Sequence, residues 1–305
     1  MSISYSIFKT AVKLMGIKKM TSLPEEELIR KSRQMQEKSP FRMPKDDSHF
    51  TYRDHVYQGK FHTVQICPVN ESGAVLYLYG GGMMTPPAKR YLEYAKQMAT
   101  LTGRDVWFAY YPLCADYTIL DAVLMVHDVY EKMLTSYEPE HIAFYGFSSG
   151  AGLLANLLMY NQTVSVPLPK PELFVGIAPG GCPENEEVYQ EMLALNDRDI
   201  EVDAHYMPAM RSIMTKGQDV PEYMITGQGG DYTGFPETWL FYGGEEILSA
   251  KAESYRKNLD AAGIPNHIVI REGMCHCYCI AKKFPEAAED YDAIIELLKG
   301  NASKG

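Results

Sequence analysis

From about residue 106 onward, short apolar segments typical of β-strands alternate with longer segments of helical periodicity. The strand-like segments are rich in β-branched and aromatic residues, and helical segments follow most of them. Such a chain folds into a mostly parallel sheet with helices on both faces. We predict strands at 50–56, 63–68, 74–79, 106–111, 142–145, 173–178, 239–242 and 264–270, and helices at 121–134, 150–160, 249–262 and in a final segment ending at 298.

Two parts of the chain depart from this alternation. Residues 1–45 are predicted to be helical, and Ser22 and Glu25 have the spacing of a capping box for a helix that runs to about residue 37. Between 183 and 235 a helical stretch carries methionines, whose flexible side chains suit either an adaptable ligand surface or an ordinary core. The sequence therefore predicts a core of residues 46–182 and 236–305 with cap segments at 1–45 and 183–235.

A helix in the first twenty residues would collect its apolar side chains on one side. These side chains are Ile3, Ile7, Phe8, Val12, Leu14, Met15 and Ile17. The pattern fits a helix that packs on its own domain, and it also fits one that touches a membrane surface. No segment approaches the roughly 18 consecutive apolar residues of a membrane-spanning helix, so we expect no stable membrane insertion.

Charge and cysteine content limit which binding partners and which cellular compartment we predict for the protein. The formal charge of −10 argues against nucleic acid, because phosphate binding needs a concentrated basic face. Six cysteines in 305 residues are too sparse and uneven for a disulfide framework. We therefore predict reduced thiols and a cytoplasmic location. A homodimer through the last strand and helix stays open.

The motif that carries chemistry is G-x-S-x-G at residues 146–150, between a predicted strand and a predicted helix. A turn this tight requires small residues beside Ser148 and holds its hydroxyl at the start of a helix, where the helix dipole favours negative charge. A serine needs a base and an acid to become a nucleophile. His276 follows the last predicted strand, and Glu245 and Glu246 follow the preceding one, in the order serine, acid, histidine.

The third requirement is a set of backbone N–H groups that stabilise the oxyanion of the intermediate. The segment Tyr79-Gly80-Gly81-Gly82 ends an early predicted strand, and its glycines let the backbone approach a substrate closely.

These motifs together resemble the hormone-sensitive-lipase family of α/β-hydrolases over residues 50–298. The H-G-G-G motif of that family corresponds to residues 79–82, its G-D-S-A-G motif to 146–150, its acid segment to 244–248 and its histidine loop to 273–278. The resemblance implies an α/β-hydrolase fold, with a mostly parallel central sheet flanked by helices and a helical cap from the N-terminus and an insertion. It implies Ser148 as nucleophile, His276 as base and Glu246, rather than Glu245, as acid. It also implies an oxyanion hole formed by the amides of Gly81, Gly82 and Ser149.

Four residues differ from the family pattern. Tyr79 replaces a histidine, Phe147 an acidic residue, Ser149 an alanine, and Glu246 the commoner aspartate. A glutamate can still orient and stabilise the imidazolium.

The resulting hypothesis is a cofactor-free serine carboxylesterase that binds a small ester, with a preference for short acyl chains. Tyr79, Met83, Phe147, Met210 and Met214 are the predicted substrate-binding residues. The same catalytic residues leave open an amidase or a deacetylase of acetylated sugars, and the scaffold alone leaves open a non-catalytic ligand-binding protein. Cys275, Cys277 and Cys279 match no usual zinc spacing and are predicted to be buried in a strand-like run, so no metal site is predicted.

Overall fold

The computed structural model describes residues 1–68 and 73–300, and its centre is a sheet of eight strands. The strands are β1 Phe50–Tyr57, β2 Phe61–Pro68, β3 Ala74–Leu78, β4 Asp105–Ala109, β5 Ile142–Phe147, β6 Leu173–Ile177, β7 Glu237–Gly243 and β8 Asn266–Arg271. Their spatial order is β1-β2-β4-β3-β5-β6-β7-β8. Strand β2 is antiparallel to β1 and β4, and the other neighbours are parallel. The predicted mostly parallel sheet is confirmed.

The register brings the two glycine-containing loops together. Leu78 at the end of β3 pairs with Gly146 near the end of β5, so residues 79–82 lie beside the turn after β5. All residues of β3, β4, β5 and β6 are buried, as expected for central strands covered on both faces. The loops after parallel strands meet at one edge of the sheet, where ligands bind in open α/β sheets.

Helices flank the sheet. They are α1 Ile3–Met15, α2 Lys18–Thr21, α3 Glu25–Lys38, α4 Lys89–Thr102, α5 Ile119–Met133, α6 Ser149–Asn161, α7 Glu186–Leu195, α8 Met207–Thr215, α9 Glu222–Thr226, α10 Ala252–Ala261 and α11 Pro285–Lys299. Helix α6 is buried over nearly its whole length, which explains why it is apolar on all sides rather than amphipathic.

Helix α4 is absent from the sequence prediction. Its buried side is made of Ala95, Met98, Ala99 and Thr102, and small residues give a weak apolar stripe. The predicted capping box at Ser22 is wrong. Helix α3 begins after Pro24, and the Ser22 hydroxyl instead donates to Asp203 at 2.7 Å.

The N-terminal helix forms as predicted, but its apolar side chains do not share one environment. Val12 is buried and Phe8 half-buried, whereas Ile3, Ile7 and Leu14 are exposed. Within residues 1–68 and 73–300, no helix has both the length and the apolar character needed to cross a bilayer.

Candidate active site

Ser148 lies in the sharp turn between β5 and α6. Its backbone has φ 52° and ψ −129°, a conformation that a residue with a side chain seldom adopts. The turn also brings Gly150 so close to β3 that a Cβ there would lie 2.4 Å from the carbonyl oxygen of Leu78. The G-x-S-x-G spacing is therefore a steric requirement of this turn, and it raises the serine hydroxyl to the sheet edge.

His276 lies in the loop after β8 and reaches across to the serine. The Ser148 hydroxyl donates to His276 Nε2 over 3.0 Å, and the imidazole is 8% exposed. The surrounding run 275–279 is not strand-like as predicted, because it folds as a turn with Cys277 at φ 51°. Cys275, Cys277 and Cys279 are buried free thiols.

Glu246 is the carboxylate that meets the histidine. Its Oε2 accepts a short hydrogen bond from His276 Nδ1–H, and its Oε1 accepts the Gly243 amide at 2.6 Å. The residue is fully buried, so both oxygens are held in place. Glu245 instead forms ion pairs with Lys9 and Arg198, away from His276.

The histidine lies in an environment that changes its affinity for protons. Burial acts against the imidazolium form, but the hydrogen bond to the Cys277 sulfur and the charge and hydrogen bond of the Glu246 carboxylate outweigh it and raise the pKa of His276 well above its usual value. The Cys277 Sγ lies 3.3 Å from His276 Nε2, and burial raises the pKa of that thiol to about 11. Cys277 is therefore a neutral thiol near pH 7, and Glu246 is the negative charge that stabilises the imidazolium.

The backbone amides predicted to bind an oxyanion lie beside Ser148. Gly81 and Gly82 both have positive φ, 156° and 60°, and Ser149 opens α6, where first-turn N–H groups lack an acceptor inside the helix. The Gly81 N–H donates to the Ser149 hydroxyl over 3.1 Å. The serine that replaces alanine after the nucleophile thus contacts the glycine loop directly.

Tyr79 lies behind this loop rather than in the cavity where it was predicted to touch substrate. Its ring is buried and stacks on Tyr111 with the ring centres 4.5 Å apart. The Tyr111 hydroxyl donates to the Tyr79 carbonyl oxygen at 2.7 Å, and it lies 3.5 Å from the Ser149 hydroxyl. This aromatic pair holds the start of the glycine loop in place.

A cavity of about 320 Å³ opens onto Ser148. Of the predicted substrate-binding residues, Met83, Phe147, Met210 and Met214 line it together with Ser148 and His276. The N-terminal segment adds Phe8, Val12, Met15, Ile17, Met20, Thr21 and Leu28, and the insertion adds Glu201, Val202, Tyr206, Met207, Met210, Met214, Met224 and Ile225. Residues of the N-terminal segment and of the insertion therefore line the same cavity as Ser148.

The sequence analysis missed three charged residues of this cavity: Arg90, Glu201 and Lys283. Burial raises the pKa of Glu201. The charge of Lys283 acts in the opposite direction and lowers the pKa of Glu201. The three residues lie on unrelated segments with no shared motif. Residues 1–68 and 73–300 contain no group of three or more His, Cys, Asp or Glu side chains placed to hold a metal ion.

Comparison with known proteins agrees with this architecture. A family model described as the α/β-hydrolase fold matches residues 75–280. A search of curated protein sequences gave no significant match.

Solved structures superpose over nearly the whole chain. An esterase/lipase from an uncultured bacterium has a TM-score of 0.79 at 16% identity and covers 98% of both chains. The esterase EstE5, soaked with p-nitrophenyl butyrate, gives the same values. An esterase of the bacterial hormone-sensitive lipase family has a TM-score of 0.77 at 21% identity, covering 95% of this chain and 97% of the other. From the family match, the sheet order and the serine turn, the chain belongs to the α/β-hydrolase fold family.

Proposed function

We propose that this protein is a serine carboxylesterase that forms and then hydrolyses an acyl-enzyme. The observation that carries the proposal is the continuous hydrogen-bonded path from Ser148 Oγ through His276 to the buried Glu246, open to an apolar cavity. A serine connected in this way loses its proton to the imidazole as it attacks a carbonyl carbon.

The reaction proceeds in two halves. His276 Nε2 takes the Ser148 proton as the Oγ–carbon bond forms, and it then gives that proton to the leaving alkoxide as the ester bond breaks. A water molecule next attacks the acyl-enzyme, with His276 again as base, and releases the acid and free Ser148. Because serine, imidazole and water supply every proton and bond, the reaction requires no cofactor.

The oxyanion of both tetrahedral intermediates is assigned to the amides of Gly81, Gly82 and Ser149. Loss of one such donor typically costs about 3–4 kcal/mol of transition-state stabilisation. For the Gly81 amide to serve, the oxyanion must compete with the Ser149 hydroxyl that accepts it in the free protein.

Short acyl esters are the proposed substrates. The cavity of about 320 Å³ is at the small end of ligand pockets, and its lining is largely apolar, with methionine the most frequent residue. We assign residues 1–45 and 183–235 to a cap over a core of 46–182 and 236–305. Of the structural relatives, EstE5 was soaked with p-nitrophenyl butyrate, a short-chain ester.

The experiment is hydrolysis of p-nitrophenyl esters from acetate to dodecanoate by the wild type and Ser148→Ala. We expect activity on short chains that falls with chain length and is lost in the variant. Cleavage of anilides or acetylated sugars in preference to these esters would favour the amidase or deacetylase alternative. Activity that persists in Ser148→Ala would refute the assigned nucleophile. A folded wild type that binds the esters but hydrolyses none would favour the ligand-binding alternative.

A further inference from the structure

The first helix carries an unusual concentration of exposed apolar side chains. Ten large hydrophobic residues are exposed in the described part of the chain, and six of them lie between residues 1 and 17. Besides Met15, at 69%, the exposed large hydrophobic residues of α1 are Ile3, Ile7 and Leu14, at 83%, 66% and 84%. Spacings of four and seven residues place these three on one helical face, which we call the outer face of α1. No described element of the protein covers it.

The charges on this segment have one sign. Residues 1–24 contain Lys9, Lys13, Lys18 and Lys19 and no Asp or Glu, in a chain whose formal charge is −10. Lys9 pairs with Glu245, and Lys18 donates to the carbonyl oxygen of Asp199. Lys13 and Lys19 are exposed and form no ion pair with another described residue, so their charges face solvent.

The opposite side of the same segment reaches the nucleophile. Phe8, Val12 and Met20 line the cavity that contains Ser148. Helix α1 is also attached to the rest of the protein by contacts that leave the outer face clear, since Tyr5 packs on Phe284 with ring centres 4.8 Å apart. The outer face therefore lies on the solvent side of a wall of the catalytic cavity.

We propose that the outer face of α1 docks reversibly on an anionic lipid surface. An amphipathic helix with apolar residues on one side and lysines beside them lies in the interface plane, with its apolar side at the boundary of headgroups and acyl chains. Lys13 and Lys19 then face lipid phosphates, and the cavity wall faces the bilayer. The docking requires no membrane-spanning segment and does not depend on the proposed esterase reaction.

A second copy of the chain fits this face less well. Pairing through a two-fold axis brings the same patch of each copy together. The exposed lysines of the two copies would then approach each other, and residues 1–24 hold no carboxylate to separate them. An anionic lipid surface satisfies both the apolar and the cationic side chains.

The test is co-sedimentation of the full chain with vesicles of phosphatidylcholine alone or with added phosphatidylglycerol, without any ester present. We expect binding to the anionic vesicles that weakens at 0.5 M salt. Salt screens the attraction between lysines and lipid phosphates, because the Debye length falls from about 10 Å at 0.1 M to about 3 Å at 1 M. Ile7→Asp is expected to lower the partition coefficient at least about tenfold. Lys13→Glu is expected to lower it more than about fivefold.

Val166→Asp is the matched control, because Val166 is 80% exposed in the loop after α6 and outside the N-terminal segment. It should bind like the wild type. Circular dichroism and thermal unfolding establish that each variant is folded. Ile7, Lys13 and Val166 do not line the cavity. The proposal is overturned if the wild type stays in the supernatant with anionic vesicles, or if Val166→Asp loses binding equally. It is also overturned if Ile7→Asp abolishes a concentration-dependent dimer seen by size-exclusion chromatography while vesicle binding is absent.

Discussion

Replacing Glu246 by glutamine tests whether the Glu246 carboxylate sets the tautomer of His276 in the proposed triad. The Glu246 Oε1 accepts the Gly243 N–H at 2.6 Å, and its Oε2 accepts the His276 Nδ1–H. A glutamine has a single oxygen, and the backbone amide of Gly243 can only donate. The glutamine oxygen therefore takes the position of Oε1, and its NH₂ group faces Nδ1.

The consequence falls on the other side of the ring. Nδ1 must now accept a hydrogen bond, so the single proton of the neutral imidazole moves to Nε2. Nε2 is the atom that contacts the Ser148 hydroxyl at 3.0 Å, and in this tautomer it cannot take the serine proton. A wrong tautomer in a triad of this kind lowers kcat about 10⁴-fold, equivalent to about 5.4 kcal/mol of the barrier.

The assay is kcat for p-nitrophenyl butyrate, with circular dichroism to verify folding. Glu245→Gln is the matched control, because it alters the neighbouring carboxylate, whose partners are Lys9 and Arg198 rather than His276. We expect the control to stay within about threefold of the wild type, since most ion pairs of this kind are worth at most about 1 kcal/mol. A Glu246→Gln enzyme with more than about a tenth of wild-type kcat would refute the tautomer argument. An equal loss in Glu245→Gln would refute the choice of acid.

Two further predictions concern the groups around the base and the oxyanion loop. Catalysis needs neutral His276, whose pKa is raised, so kcat/KM should rise with pH through a midpoint above 6.5. We expect the same of Cys277→Ala, because Glu246 still stabilises the imidazolium. A midpoint at or below 6.5 in the pH–rate profile of either enzyme would contradict this. Ser149→Ala removes the acceptor of the Gly81 N–H, and a hydrogen bond worth about 1 kcal/mol net predicts a kcat about fivefold higher. A tenfold fall in kcat would instead mean that the Ser149 hydroxyl holds the loop in place.

The sequence was most informative where local chemistry and sheet topology restrict each other. The turn at Ser148 follows a buried strand and requires small neighbours, so its position could be predicted from residues 146–150, and its role as nucleophile stays a prediction. His276 was predicted as the base because it follows the last strand, and Glu246 as the acid because a family motif set the register; the structure places both beside Ser148 in one hydrogen-bonded path. Helix α4 was missed because its buried side is mainly Ala95, Ala99 and Met98, whose pattern is weak although Gly103 ends the helix in a left-handed conformation.

Contacts between distant segments could not be predicted in this way. Ser22 has the spacing of a capping box, but a carboxylate 181 residues further along the chain accepts a hydrogen bond from its hydroxyl. Tyr79, at the position of the family's histidine, was predicted to bind substrate, yet the ring of Tyr111 stacks on it behind the loop. The contact of Cys277 with the His276 ring depends on the positive φ of that cysteine, which its sequence does not indicate.

The backbone of Ser148 has a consequence for how this protein changes over evolutionary time. Non-glycine residues held in sparsely populated conformations cost about 1–3 kcal/mol, and φ 52° with ψ −129° is such a conformation. Glycine adopts positive φ without that penalty, so Ser148→Gly would relax the turn while removing the proposed nucleophile. Mutational drift toward stability and selection for turnover therefore oppose each other at this position. A descendant freed from selection for turnover would be expected to lose its serine there without losing its fold.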